Sequence, residues 1–234
     1  MEVEEKLIRL NYKSTDPLQF ALLLKDSADE IYIIESFPSD DRILENFIWE
    51  IGRPIEENRN PHSDITFEVS VTKKDKLFTS YATSNYHFPL HTDCSDLIAV
   101  PNALAMLCVT PATNGGDSIL VYIDDVISQF SAEEVAFLLE KKWLFRKIWR
   151  PILSKTNTGY SVCYNRITME SYAKLTSSEL AFLNKFDEVL NLKAINFKLK
   201  SNELLIIRND KFLHGRTEFS ENSDRLLRRI RFNV

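Results

Sequence analysis

From residue 65 the chain alternates. Ile65, Phe67, Val69 and Val71 are apolar, and Thr66, Glu68, Ser70 and Thr72 between them are polar. A period of two is that of a strand with one buried face. The chain before it has a different rhythm. Leu18, Phe20, Ala21, Leu22, Leu23 and Leu24 follow Asp16 and Pro17, and Asp at the N-cap with Pro in the first turn predicts a helix start. Residues 31–34 read as a short buried strand. A second helix is predicted over 40–51, capped by Ser39, with acidic residues in its first turn and Gly52 as its stop. The polar stretch 53–64 holds two prolines, Pro54 and Pro61, and predicts a loop.

Further on, the lysines around Asp75 predict a turn, 77–81 a strand, and a following extended piece ends at His91. Residues 103–109 are apolar throughout, as a central strand would be. Asn114, Gly115 and Gly116 form a turn signal before a strand over 117–122. Ser131 with Glu134, and Thr176 with Glu179, have capping-box spacing and open helices over 135–142 and up to about residue 191. Residues 143–149, 160–164, 194–199, 203–208 and 225–234 read as strands. No repeat or linker divides the chain, so one domain is expected over 1–234. Many short strands with few helices predict a mainly β fold with flanking helices (α+β), a sandwich or barrel core. In a jelly roll, strands distant in sequence become neighbours.

Composition narrows the function classes. The 234 residues are 44% hydrophobic and 27% charged, enough for a sizeable core. A net charge of -5 argues against a nucleic-acid partner, which would want a basic excess. Cys94, Cys108 and Cys163 are odd in number and lack C-x-x-C spacing, so neither a disulfide framework nor a zinc knuckle is indicated. The N-terminus is charged, and no apolar run is long enough to span a bilayer. A cytoplasmic protein without membrane partners is the expectation.

The candidate chemistry lies in four histidines: His62, His87, His91 and His214. His91 and Asp93 share a face if extended, since residues two apart on a strand point the same way. With His214 they would form a two-histidine, one-carboxylate set holding one face of a metal, the ligand set of non-haem Fe(II) oxygenases. His62 and Asp64 have the same spacing but follow Asn60-Pro61 in a polar loop, a poor support for a metal site. Near the end, Arg225, Leu227, Arg229 and Arg231 alternate with Leu226, Arg228 and Ile230. If the arginine face is interior, it needs an anion, such as a carboxylate ligand held bidentately. If it is exterior, it is a basic edge that discourages aggregation.

Four pieces in order carry a family resemblance: Leu90-His91-Thr92-Asp93, the run Pro101 to Cys108, Gly115-Gly116-Asp117-Ser118, and His214-Gly215-Arg216-Thr217 followed by Asp224 to Arg229. With them the chain resembles the taurine/2-oxoglutarate dioxygenase superfamily, including the clavaminate-synthase-like amino-acid hydroxylases. The resemblance covers the chain from about Gly52 onward. It implies a double-stranded β-helix, a distorted jelly roll, with His91, Asp93 and His214 as iron ligands. Arg225 matches the arginine that pairs with the far carboxylate of 2-oxoglutarate, and Ser118 falls where the family usually has a threonine on the same cosubstrate. Arg229 matches a second arginine facing cosubstrate or substrate. The implied cofactors are Fe(II), 2-oxoglutarate and O2.

The implied reaction couples decarboxylation of 2-oxoglutarate, to succinate and CO2, to oxidation of an unactivated C–H. Hydroxylation is expected, with desaturation or cyclisation as alternatives. Halogenation is disfavoured, because related halogenases lack the carboxylate that Asp93 supplies. The region before the triad lines the substrate pocket in the resembled family, and Asn85 and His87 lie there. With Arg229 they suggest a small polar substrate bearing an acid, a free amino acid or an amino acid-like metabolite, ahead of a carrier-bound or peptide residue. Two departures bear on the substrate: Asp93 stands where the clavaminate group typically has Glu, and the chain is short. Readings outside this class are a cupin-type metalloprotein without 2-oxoglutarate and a non-catalytic jelly-roll binding module.

Overall fold

The computed structural model describes residues 7–56, 65–71 and 80–234. The chain runs β1 (Leu7–Asn11), α1 (Pro17–Asp26), β2 (Ile31–Glu35), α2 (Asp41–Ile51), β3 (Arg53–Pro54), β4 (Thr66–Val69), β5 (Phe88–His91), β6 (Ala103–Thr110) and β7 (Ser118–Tyr122). Then come α3 (Ile123–Ile127), α4 (Ala132–Glu140), β8 (Trp143–Phe145), β9 (Ile148–Arg150), β10 (Leu153–Thr156), β11 (Gly159–Val162), α5 (Arg166–Tyr172) and α6 (Ser177–Lys193). Four strands close the chain: β12 (Ile195–Phe197), β13 (Glu203–Arg208), β14 (Phe212–Arg216) and β15 (Leu226–Asn233).

Local chemistry sets most helix starts. Asp16 accepts from the Gln19 N–H with Pro17 in the first turn, and both capping boxes close. The cap of α2 is Asp40, not Ser39: its carboxylate accepts from the Ile43 N–H at 3.0 Å, while the Ser39 hydroxyl donates to Asn202 Oδ1. A carboxylate at the N-cap also gains from the helix dipole. The stretch expected as one strand over 143–149 is a hairpin, β8 and β9. Arg53 and Pro54, expected in a loop, pair with Asn233 and Phe232 at the edge of a sheet. The pair His62 and Asp64, the lysine turn and most of the strand expected over 77–81 lie outside the described residues; Tyr81 itself opens a short 3-10 turn.

Two sheets build the scaffold. The larger has the order β1-β2-β13-β6-β15-β3, with β4 also on β15; the smaller is β12-β7-β14-β5. Between them Leu104, Met106, Cys108, Leu205, Ile207 and Leu227 of the large sheet meet Leu120 and Phe212 of the small one. On the other face of the large sheet Leu107, Ile206 and Phe232 pack under Leu24, Leu44 and Phe47 of α1 and α2. The outer face of the small sheet, with Ile119, Val121 and Leu213, is covered by helices that include Leu138, Phe186 and Leu190. Strand β6 is covered on both faces, which is why it is apolar throughout. On β4, Phe67 and Val69 face the inter-sheet layer, but Thr66 is buried too, because α2 brings Glu45 to accept its hydroxyl at 2.7 Å. Among the described residues no helix is long and apolar enough to cross a membrane.

Candidate active site

The site lies between the two inner faces. On β14, Phe212, His214 and Arg216 point inward while Leu213 faces the outer helices. On β15 the inward set is Leu227, Arg229 and Arg231, alternating with Ile230 and Phe232 on the helix side. The arginine face is therefore interior, with Arg225, Arg229 and Arg231 at 5%, 4% and 7% exposure.

Strands β5 and β14 pair so that His91 and His214 are direct neighbours, with ring centroids 4.3 Å apart. A bulge follows, between His214 and Arg216. Gly215 permits it: a Cβ there would lie 2.6 Å from the Phe88 carbonyl oxygen. Asp93 comes two residues after His91, just past the strand. Ligand atoms of His91, Asp93 and His214 all lie within 4.8 Å of one another.

Their electrostatics suit a dication. His91 Nδ1 lies 2.9 Å from the Pro89 carbonyl oxygen, to which it can only donate, so Nε2 carries the lone pair. That Nε2 and His214 Nδ1 are buried without a hydrogen-bond partner among the described residues. Burial pushes His91 down to about 4 against the pull of Asp93, and pushes His214 well below its ordinary range. Burial alone would raise Asp93, but Arg229 and Arg231 outweigh it and hold the carboxyl well below the usual range. Two neutral imidazoles and one carboxylate on one side of a point fit a divalent iron with an open face.

Asn209, in the turn between β13 and β14, was not foreseen; by sequence an Asn beside Asp210 is a turn former. It is fully buried, accepts from the Asp93 N–H at 3.0 Å, and donates to the carbonyls of Asp93 (3.1 Å) and Pro101 (2.7 Å). Asp93 is thereby fixed by its backbone.

Beside the triad lies a narrow inner cavity of about 40 Å³ whose lining, among the described residues, includes Ser118, Arg216, Arg225, His91, His214 and Arg229 and no carboxylate. Among the described residues the Arg225 guanidinium has no hydrogen-bond or ion-pair partner, and burial lowers its pKa to about 10. Gly116, at φ 70, makes room for it: a Cβ would lie 3.1 Å from Arg225 Cδ and Nε. Arg216, a motif residue to which the sequence assigned no role, is also buried, and burial followed by Arg225 lowers it to about 9. Its Nη2 donates to the carbonyls of Ser84 and Tyr86 at 2.8 and 2.7 Å, and the Phe219 ring lies 4.8 Å from its guanidinium and 5.2 Å from that of Arg225. Buried guanidiniums with no carboxylate beside them among the described lining residues call for an anionic ligand.

An outer cavity of about 440 Å³ meets the inner one at Ala82, Phe88, His91 and Arg229. Its polar lining includes Glu56, Asp96, Arg146, Asn165 and Thr168. Arg229, read from the family resemblance as facing cosubstrate or substrate, contacts Asp93, with Nη1–Oδ2 at 3.1 Å. Asn85 and His87 are not brought to either cavity. The Asn85 amide donates to the Phe219 carbonyl at 3.2 Å, and His87 is exposed.

In the metal-free protein the buried His91 gives a signed pH effect. Its folded pKa of about 4 lies below its ordinary 6.5, so in that window the unfolded chain binds more protons. Stability is expected to be full above about pH 6.5 and to fall as pH drops toward about 4. Urea midpoints of the metal-free protein across that range check this, and a His91→Gln variant should show a shallower fall.

The match to known proteins covers nearly the whole chain. Residues 5–231 match the family described as taurine catabolism dioxygenase TauD, TfdA family. The chain belongs to this family. It is accordingly an Fe(II)- and 2-oxoglutarate-dependent dioxygenase. No curated protein matches the sequence. Among solved structures, asparagine oxygenase superposes with a TM-score of 0.78 at 16% identity, over 93% of this chain and 78% of that one. PvcB from Pseudomonas aeruginosa gives 0.75 at 16%, over 97% and 85%. The iron oxygenase OrfP, with Fe, succinate and a dihydroxy-L-Arg, gives 0.72 at 14%, over 94% and 81%. At these identities the likeness is one of fold, mainly β with helices outside.

Proposed function

We propose that this dioxygenase hydroxylates an aliphatic C–H of a small polar metabolite, a free amino acid or a close analogue. The carrying observation is the pair of cavities that meet at His91. The inner one has the chemistry for a carboxylate: Arg225 is available for the fork of the far carboxylate of 2-oxoglutarate, with the Ser118 hydroxyl beside it. The outer one carries groups of both signs, Glu56 and an ion pair of Arg146 with Asp96 at 3.3 Å, which a zwitterion could join. Solved structures of asparagine oxygenase and OrfP hold 3-hydroxyasparagine and hydroxy-L-Arg, which supports an amino-acid substrate. The facing sheets support reading the scaffold as a double-stranded β-helix.

In this reading His91, Asp93 and His214 hold the iron. The iron, when bound, supplies the activation of dioxygen and the oxidising power for C–H cleavage. The protein supplies position and shelter. Arg225 and Ser118 orient the cosubstrate, and Phe88, stacked on His91 at 3.9 Å, walls the junction of the two cavities. A carrier-bound or peptide residue is the second reading, favoured by the size of the outer cavity. The test is anaerobic addition of Fe(II) and 2-oxoglutarate, watched for the weak visible charge-transfer band of the chelate, followed by a screen of free amino acids against their amides for stimulated succinate release. No band sinks the cosubstrate assignment. Equal stimulation by the amides sinks the free-acid reading.

A further inference from the structure

We infer that Arg231 is a positioning residue for the iron site, holding Asp93 as a ligand through one oxygen only. This rests on the iron-site reading above. A carboxylate can bind a metal through one oxygen or two, and its choice is set by what holds the other oxygen. Here Oδ2 of Asp93 accepts from Arg231 Nε at 2.8 Å and lies 3.1 Å from Arg229 Nη1 across the ion pair, whereas Oδ1 accepts only the longer bond from Arg229 Nη1, at 3.4 Å, among the described residues. Both partners are buried, with Arg231 and Asp93 side chains 8% and 9% exposed. Asn209 fixes the Asp93 backbone from the other side. The carboxylate therefore has little freedom to turn, and Oδ1, the more loosely held oxygen, is the one that would meet a metal.

The arrangement has a chemical consequence. Two imidazoles, one carboxylate oxygen and a cosubstrate binding through two atoms fill five of the six positions of an octahedral ion. A second carboxylate oxygen would fill the last. By engaging Oδ2, Arg231 keeps that position available. The neighbouring side chains place the fork: Arg231 leans on the Phe67 ring at 5.9 Å, and on β15 it pairs with Leu104 of β6. The arginine periodicity along 225–231 puts Arg231 on one face with Arg225 and Arg229, and the fold makes that face interior and brings Arg231 to Asp93.

The test uses Co(II) in place of iron on the whole chain, with Arg231→Gln and Arg231→Lys beside wild type. Circular dichroism establishes that each variant is folded, and Lys, which keeps the charge, serves if Gln does not fold. Wild type is expected to bind Co(II), and His91→Ala to lose it; wild type failing to bind overturns the iron-site reading itself. Both Arg231 variants are expected to bind Co(II) about 10–100-fold more weakly. Their visible d–d bands with 2-oxoglutarate bound should be weaker, as higher coordination requires. Tighter binding by Arg231→Gln would mean that Arg231 acts only as a repelling charge, and the inference fails. Unchanged affinity and bands with lowered activity would make Arg231 a contact of the outer cavity instead, and the inference fails then too.

Discussion

Replacement of His91 or His214 by alanine is expected to abolish substrate-dependent succinate formation while the protein stays folded. Each imidazole is buried and each carries a ring nitrogen without a partner among the described residues, so its removal breaks no hydrogen bond at that nitrogen and takes away one ligand of three. Asp93→Ala is expected to lose activity equally but to cost stability as well. Its carboxylate is the buried anion that Arg229 and Arg231 both contact, and breaking a buried ion pair from one side typically costs about 3–5 kcal/mol. Metal content after Fe(II) loading, succinate formation and the urea midpoint measured together separate the two kinds of loss. Full turnover by His91→Ala with loss in His62→Ala would mean that the other H-x-D pair holds the metal.

Arg225→Ala is expected to give the second largest effect, on the cosubstrate. A hydrogen bond to a charged group is worth about 1.5–3 kcal/mol, so 2-oxoglutarate should bind roughly ten- to hundredfold more weakly, or worse if both arms of the fork engage. Arg225→Lys should also bind poorly, because a single ammonium does not reproduce a planar fork. Ser118→Ala should cost less, since one hydroxyl is lost. The readout is the 2-oxoglutarate concentration at half-saturation of the visible band, with the band's final intensity as a check that the metal is in place. An unchanged half-saturation in Arg225→Ala removes this role. Arg216 would then be the first candidate to replace it, as the other buried guanidinium of that cavity without a carboxylate beside it.

What the sequence determined by itself was local or periodic. Asp16 with Pro17, Ser131 with Glu134 and Thr176 with Glu179 set helix starts through contacts no more than a turn away. The period of two along 225–231 put three arginines on one face, and the spacing of His91 and Asp93 put a metal pair at a strand end. Tertiary structure decided which of two meanings each pattern has. The arginine face is interior because β15 lies inside the large sheet, paired to β6, with α2 over its other side. His214 meets His91 because β14 lies between β7 and β5, a pairing across more than a hundred residues that no local signal encodes. The same distance hid Asn209 and Arg231, whose types look ordinary in a turn and on a strand until the fold sets them against Asp93. Asn85 went the other way: an amide free to meet a substrate by sequence has one N–H engaged by the Phe219 carbonyl, because the loop after β14 returns alongside it. Backbone groups must be satisfied wherever the chain buries them, and that demand, invisible along the sequence, decides which polar side chains remain for function.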